Sequence, residues 1–225
     1  MTNKNIFVAC DISGQKEILD LLELIHEDIS GIKIGLQYIT QRSPEQIKEL
    51  SKFKKPIFYD GKFFDIKNTL VESIKALKNL NVNYATVHLL NGLDALKAAN
   101  QAAQEINLNL LGVSVLTSFA DDDLENLGFK NKTEDQVKKL IKIALEANLH
   151  GVICSPLEIK MIKEIAPKLK CFTPGIRMEN TKDDQKRTMS ASEAIKEGSD
   201  YLIIGRPITK GNPKKNIKNI LSSIN

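Results

Sequence analysis

The feature of this sequence that most constrains its fold is an eightfold alternation of short runs rich in β-branched residues with longer amphipathic segments. The first run is Ile6-Phe-Val-Ala-Cys10, and the segment after it has apolar residues at helical spacing at positions 18, 21, 22 and 25. A short apolar run followed by such a segment is typical of one β-strand followed by one α-helix. The alternation therefore predicts a parallel sheet whose strands are connected by helices.

The remaining seven runs follow the same pattern and set the number of strands. One of the helices between them begins near Pro44, and another carries Ile66, Leu70, Ile74 and Leu77 on one face. The runs span residues 31–35, 56–60, 84–88, 109–116, 151–155, 170–174 and 201–205. Eight strand–helix units in 225 residues, with no linker rich in Pro, Gly or Ser, predict a single α/β domain over residues 1–225, a (β/α)8 TIM barrel. An open doubly wound sheet is the alternative for the same order of elements.

Charge and hydropathy argue against several kinds of partner. The chain has 32 Lys and Arg against 28 Asp and Glu, a net charge of +4, which is weaker than dedicated nucleic-acid binders usually carry. No run approaches the roughly 18 consecutive apolar residues of a spanning helix, and the N-terminus has no signal-peptide core. We therefore expect a cytoplasmic protein with neither a nucleic-acid nor a membrane partner.

The cysteines and the spacing of possible metal ligands point to no redox or metal chemistry. Cys10, Cys154 and Cys171 lie in apolar runs and form no CxxC pair, so we interpret them as reduced core residues. No cluster of His, Cys, Asp or Glu has metal-ligand spacing, and no metal site is expected.

In a (β/α)8 barrel the active site lies at the carboxyl ends of the strands, and polar residues collect there in this sequence. Most of them follow a predicted strand directly, whereas Lys33 lies inside the second run. The set comprises Asp11, Lys33, Asp60, Lys62, His88, Thr117, Arg177 and Arg206. We expect these side chains to surround one pocket.

The charged residues of the second and third runs are candidates for catalysis. Lys33 lies among apolar residues, where a buried ammonium needs an acidic partner. An outward-facing strand residue is the alternative for it. Asp60 and Lys62 are two residues apart, so they point the same way if the strand continues, and each would stabilise the charge of the other. A structural ion pair at a strand end is the alternative for that pair.

The scarce arginines indicate an anionic ligand. Only four residues are Arg, and three of them follow residue 170. Gly205-Arg206, after the eighth run, lies where such barrels bind phosphate with backbone amides and a basic side chain. Arg177, after the seventh run, is placed to bind the same phosphate with its forked guanidinium. A β-to-α turn with a surface arginine is the alternative.

The segment Asp60-Gly-Lys62-Phe-Phe-Asp65-Ile-Lys-Asn-Thr69 resembles the D-x-K-x-x-D-I-x-N-T signature of the orotidine monophosphate decarboxylase family. Further matching segments are spread over the chain. They are Asp11, Lys33, Leu116-Thr117-Ser118, Gly151-Val-Ile-Cys-Ser155, Thr173-Pro-Gly-Ile-Arg177, Asp184-Gln185-Lys-Arg187 and Gly205-Arg-Pro207. The resemblance therefore covers essentially the whole sequence.

This resemblance implies decarboxylation of orotidine 5′-monophosphate to uridine 5′-monophosphate, the final step of de novo synthesis of that nucleotide, without metal or organic cofactor. Lys62 would donate a proton to the carbon that loses carboxylate. It would be flanked by Asp60 and by Asp65 from the other subunit of a homodimer, and Lys33 would complete the charged array. A protonated lysine beside that carbon would stabilise the developing negative charge.

The same resemblance implies the binding roles. Arg206, the amide of Gly205, Gln185 and Arg177 would hold the phosphate. Thr117 would bond to the pyrimidine ring, and Asp60 would lie beside the substrate carboxylate. The ribose hydroxyls would be bound by Asp11, Lys33 and, across the dimer interface, Thr69.

Two departures from the family pattern and two rival functions accompany this hypothesis. Gly61 replaces a large apolar residue and is expected to loosen the strand end, and Lys67 replaces a common proline. One rival is a magnesium-dependent enzyme of the same superfamily acting on a sugar phosphate; the other is a silent nucleotide-binding barrel. Segments 119–132 and 177–187 are interpreted as polar loops or lids over the site.

Overall fold

The protein is described by a computed structural model that covers residues 5–177 and 187–224. Eight parallel strands form a closed barrel in sequence order, because the first strand pairs with both the second and the eighth. The predicted TIM barrel is confirmed, and the open sheet is wrong. The strands are β1 Ile6–Ala9, β2 Gly31–Gly35, β3 Ile57–Phe63, β4 Tyr84–His88, β5 Asn109–Val113, β6 Gly151–Ile153, β7 Lys170–Thr173 and β8 Tyr201–Ile204.

Helices connect the strands and cover the outside of the barrel. They are α1 Gln15–Ile25, α2 Leu36–Ile39, α3 Pro44–Glu49, α4 Lys67–Ala76, α5 Leu93–Glu105, α6 Asp121–Asn126, α7 Thr133–Glu146, α8 Ile159–Ile165, α9 Ala191–Lys196, α10 Arg206–Thr209 and α11 Pro213–Ile224. In the described part of the chain, no helix is long and apolar enough to cross a membrane.

Local sequence explains where several helices begin. The predicted start of α3 at Pro44 is correct: the hydroxyl of Ser43 accepts a hydrogen bond from the backbone of Gln46, whose side chain accepts one from Ser43 N–H. The same reciprocal arrangement joins Ser190 and Glu193 at α9. Such caps satisfy backbone donors that the first helical turn leaves without partners.

Two expectations about helices are wrong. The connection after the fifth strand contains α6, because the acidic residues at its start favour a helix N-terminus, Asp123 accepts a hydrogen bond from Ala120 N–H at 2.7 Å, and Leu124 is buried. Ile66, expected on the buried face of the fourth helix, precedes α4 and is 74% exposed.

Side chains of the strands divide into two cores. Residues that point outward pack against the helices in a continuous apolar layer. Those that point inward at the amino-terminal end of the barrel are mainly aromatic, and their ring centroids are 4.6–6.5 Å apart. This aromatic layer consists of Phe7, Phe58, Tyr84, Phe172 and Tyr201. It fills the lower half of the barrel and leaves the upper half to polar groups.

Candidate active site

Four side chains of alternating charge lie above the aromatic layer at the carboxyl ends of β1, β2 and β3. The Nζ of Lys33 is 3.1 Å from Asp11 Oδ1 and 3.5 Å from Asp60 Oδ2. The same Asp60 oxygen is 2.8 Å from Lys62 Nζ. Lys33 is buried and points into the barrel, so the outward-facing alternative for it is wrong. The four groups form one continuous chain of ion pairs.

Electrostatics keep the buried members of this chain ionised. Burial alone would raise the pKa of Asp60, but the charges of Lys33 and Lys62 and the hydrogen bonds from Lys62 and Thr86 outweigh it and hold this pKa below its ordinary value. Burial alone would lower the pKa of Lys33, but the carboxylates of Asp60 and Asp11 outweigh it and raise this pKa. The site therefore presents fixed charges in a low-dielectric setting.

The backbone at Lys62 has an unusual conformation for a strand. Its φ is +47°, in the left-handed region, and within the described ranges no other non-glycine residue inside a strand has a positive φ. Such a conformation costs a non-glycine residue about 1–2 kcal/mol. The pairing of β3 with β4 shifts register between Tyr59 and Phe63, around this residue. Lys62 N–H donates to the hydroxyl of Thr86 on β4 at 2.8 Å, which holds the strained conformation.

The structure gives a reason for the glycine at position 61. The rings of Tyr59 and Phe63 are stacked, with centroids 5.8 Å apart and planes 5° from parallel. A Cβ at Gly61 would lie 2.8 Å from the Tyr59 ring and 3.4 Å from the Phe63 ring. Because the two rings cover the glycine, a large apolar residue would displace them.

A cavity of about 530 Å³ opens above the charged chain. Both apolar and polar residues line it. Eight of the residues singled out in the sequence line it: Asp11, Lys33, Asp60, Lys62, Thr117, Arg177, Gly205 and Arg206. The apolar lining includes Ala9, Val113, Val115, Ile153 and Ile203. A flat, partly apolar ligand with an anionic end fits this distribution of groups.

The two arginines mark one end of the cavity. Gly205 lies between β8 and α10, and its carbonyl accepts hydrogen bonds from the first turn of that helix. A Cβ at Gly205 would lie 3.4 Å from that of Ala9, so the backbone comes close to β1 here. Arg177 follows β7 and donates to the carbonyl of Ile176 at 2.9 Å. The guanidinium groups of Arg177 and Arg206 thus border a region lined by backbone, which suits phosphate.

Asp65 and Thr69 lie away from this cavity, and Gln185 lies outside the described residues. Asp65 and Thr69 are both exposed. The segment that carries Asp65 is fixed by Asn91, whose amide donates to Phe63 O at 2.9 Å and to His88 O at 2.8 Å. Asn91 also accepts a hydrogen bond from Asp65 N–H at 3.1 Å. Asp65 is therefore held in a defined place outside the cavity.

Several contacts near the site were missed in the sequence. Thr86 is the clearest case, because a polar residue at an inward position of the apolar run 84–88 is a usable signal. The sequence around Asn91 contains no comparable indication of its role. Glu158 and Arg187 form a buried ion pair, and Arg187 also donates to Leu116 O at 3.0 Å.

Other polar residues have structural roles. His88 is partly buried; its Nδ1 accepts a hydrogen bond from Leu90 N–H, and burial lowers its pKa. The three cysteines are free and buried, as expected. Over residues 5–177 and 187–224, no three His, Cys, Asp or Glu side chains are grouped as a metal site requires.

Comparison with known proteins adds an independent observation. The profile of the family described as Orotidine 5'-phosphate decarboxylase / HUMPS family matches residues 4–220. The chain is 38% identical to the orotidine 5'-phosphate decarboxylase of Wolbachia pipientis subsp. Culex pipiens (strain wPip), over 97% of this chain and 98% of that protein.

Two further proteins are similar to this chain over nearly its whole length. The orotidine 5'-phosphate decarboxylase of Ehrlichia canis (strain Jake) is 36% identical over 98% of this chain and 97% of its own. The crystal structure of the Lactobacillus acidophilus orotidine 5'-phosphate decarboxylase superposes with a TM-score of 0.86 at 31% identity, covering 98% of both chains.

Proposed function

Because the chain belongs to the orotidine 5'-phosphate decarboxylase / HUMPS family, we propose that its cavity converts orotidine 5′-monophosphate to uridine 5′-monophosphate and carbon dioxide. The observation that carries this proposal is the ammonium of Lys62, which borders the cavity 2.8 Å from a buried carboxylate of Asp60. Decarboxylation needs a fixed positive charge beside the carbon that becomes a carbanion, and Lys62 provides it.

The reaction uses Lys62 twice. When the bond between the ring carbon and the carboxylate breaks, its electron pair stays on the ring carbon, and carbon dioxide leaves. The ammonium of Lys62 stabilises this pair and then transfers a proton to the carbon, so that Lys62 becomes neutral and is reprotonated from solvent. No electron acceptor is required, and the proposal includes no metal or organic cofactor.

The carboxylate of Asp60 orients Lys62 and lies beside the carboxylate of the substrate. In the resting site, the ion pair with Asp60 places the ammonium of Lys62 at the edge of the cavity. Lys33 and Asp11 extend the array towards β1 and bind ribose hydroxyls in this proposal. Thr117, on the opposite wall, bonds to the pyrimidine ring.

Binding energy for this reaction comes mainly from the phosphate. Arg206, Arg177 and the backbone at Gly205 follow β7 and β8 and line the same cavity, and Gln185 joins them in the proposal. A group bound far from the reacting carbon positions that carbon for the transition state, so a substrate without phosphate should react slowly.

The active assembly is a homodimer in this proposal. Phe64, Ile66 and Leu90 are 62%, 74% and 41% exposed, and they adjoin the segment that presents Asp65. An apolar patch of this kind is typical of a surface that another chain covers. A second copy seated there would receive Asp65 and Thr69 near its own Lys62. We also assign the enzyme to the cytoplasm, a reducing compartment that suits three free thiols.

The test follows the loss of ultraviolet absorbance when purified protein, treated with a chelator, is mixed with orotidine 5′-monophosphate. We expect rapid turnover by the wild type and loss of at least about 1,000-fold in Lys62→Ala. The matched control is Lys97→Ala, an exposed lysine paired with Glu146 on the outer helices, which should keep full activity. A folded, dimeric wild type without turnover would refute the decarboxylase assignment. Turnover of a sugar phosphate only with magnesium would favour the rival enzyme.

A further inference from the structure

Thr86 lies at the middle of β4, beneath the ion pair of the proposed site. Its side chain points into the barrel, it is fully buried, and it is not among the residues that line the cavity. Its hydroxyl contacts both residues of the pair: it receives Lys62 N–H at 2.8 Å and is 3.0 Å from Asp60 Oδ1. A single side chain therefore connects the carboxylate of one residue with the backbone of the other.

The directions of these two hydrogen bonds follow from the groups present. A backbone N–H can only donate, so the Thr86 oxygen accepts from Lys62. A threonine hydroxyl has one proton, and an ionised carboxylate can only accept, so that proton goes to Asp60 Oδ1. The hydroxyl thus accepts a hydrogen bond from one charged residue and donates one to the other.

The bond to Asp60 fixes the rotation of its carboxylate. Oδ1 is held by Thr86, while Oδ2 receives Lys62 at 2.8 Å and faces Lys33 at 3.5 Å. Since the two oxygens have different partners on different strands, the carboxylate plane cannot turn without breaking one set. The position of the Lys62 ammonium depends on that plane.

The bond to Lys62 fixes its backbone. Residue 62 has a positive φ at the point where the register of β3 against β4 shifts. The hydroxyl of Thr86 replaces the ladder partner that Lys62 N–H loses at this shift. Without it, a buried donor would lack a partner, and the residue would relax towards an ordinary strand conformation that aims its side chain elsewhere.

We propose that Thr86 is the positioning residue of this site, which holds the carboxylate of Asp60 and the backbone of Lys62 in the relative geometry that proton transfer needs. The role rests on the proposed decarboxylase function. It acts on the chemical step, because Thr86 does not line the cavity and so should not contribute directly to nucleotide binding.

The test compares Thr86→Val, which keeps the shape and removes the hydroxyl, with Thr86→Ser, which keeps the hydroxyl. We expect kcat to fall about 10- to 100-fold in the valine variant, as a small misplacement of reacting groups does, and to stay within about threefold in the serine variant. KM and the Kd of uridine 5′-monophosphate should change by less than about threefold in both.

The matched control is Ser114→Ala, at the residue directly after β5. Ser114 is also buried in the barrel wall, and its hydroxyl donates to Ile153 O at 3.3 Å, away from Asp60 and Lys62. This variant should keep kcat, so it separates the loss of any buried hydroxyl from the loss of this one. If Thr86→Val does not fold, Thr86→Ala carries the same expectations.

A second readout does not depend on activity. The amide of Lys62 should exchange slowly with deuterium in the wild type and in Thr86→Ser, and at least about tenfold faster in the valine variant. A wild type without turnover would refute the decarboxylase function, while this exchange would still test the bridge. Unchanged kcat in folded Thr86→Val, equal loss of kcat and nucleotide affinity, or unchanged Lys62 exchange would each overturn the proposal.

Discussion

Replacement of Arg187 by methionine should destabilise the protein in a pH-dependent way, because it leaves a buried carboxylate without its counter-ion. The side chain of Glu158 is 5% exposed; one oxygen pairs with Arg187, and the other accepts a hydrogen bond from Ser155 N–H at 2.9 Å. Burial raises the pKa of Glu158 above its ordinary value, and Arg187 opposes that rise. Without the guanidinium, this pKa should rise further.

The magnitude follows from the burial of the pair. Removing one partner of a buried ion pair costs about 3–5 kcal/mol, and the lost hydrogen bond to Leu116 O adds about 1 kcal/mol. We therefore expect Arg187→Met to lower the free energy of unfolding by about 4–6 kcal/mol at pH 8, where Glu158 must stay charged. The companion variant Glu158→Gln/Arg187→Met buries no charge and should recover at least about 2 kcal/mol of this loss.

The dependence on pH has a definite sign. In the variant, the folded state binds a proton as the pH falls through the raised pKa of Glu158, while the unfolded state binds it only near the ordinary pKa of about 4.5. For each unit by which the pH falls within this window, the variant regains about 1.4 kcal/mol of its free energy of unfolding. The deficit of Arg187→Met should therefore be smaller at pH 5 than at pH 8. The double variant has no carboxyl at position 158, so its deficit changes only with the titration of Glu158 in the wild type and should not become smaller at pH 5.

Urea unfolding of the wild type and of the single and double variants at pH 5 and pH 8 measures these differences directly. Each deficit is taken against the wild type at the same pH, which removes the background titration of other groups. A deficit of Arg187→Met that is equal at the two pH values would refute the reasoning, and so would a double variant no more stable than Arg187→Met.

Three further predictions concern stability and acid resistance. Asp200→Asn, at the amino-terminal end of the barrel, should destabilise by about 1–2 kcal/mol after solvent screening, with unchanged kcat, because the carboxylate accepts from two lysines and from Cys171 N–H. Since burial alone would raise the pKa of Asp200 but these partners hold it below its ordinary 3.8, that deficit in urea unfolding should be equal at pH 7 and pH 5 and shrink below pH 4. Gly31→Ala should destabilise by at least about 1–3 kcal/mol, measured by urea unfolding, because its Cβ would lie 2.1 Å from the Phe7 ring. Asp60 has a lowered pKa, so kcat should show no loss attributable to its protonation between pH 7 and pH 5.

The barrel was predictable because its signals are local. Each strand is only three to seven residues long and is marked by its own apolar run, and the ends of the strands identify the charged residues without knowledge of distant contacts. The direction of Lys33 could be argued from the cost of burying an ammonium without a partner. The pairing of Asp60 with Lys62 was predicted from the two-residue period of a strand, but Lys62 reaches Asp60 from a left-handed backbone conformation that a regular strand does not have.

The contacts that were missed depend on register and on sequence-distant neighbours. The role of Thr86 requires the irregular pairing of β3 with β4, which no local pattern reveals. The ion pair of Glu158 with Arg187 joins residues 29 positions apart. Helix α6 was missed because a run of three aspartates was interpreted as a solvated connection, although acidic residues also favour the start of a helix.

The aromatic layer determines how molecules travel through this enzyme. Five rings fill the amino-terminal end of the barrel, so among the described residues the cavity opens at the carboxyl ends of the strands. In the proposed reaction the nucleotide would enter by this opening, and uridine 5′-monophosphate and carbon dioxide would both have to leave by it.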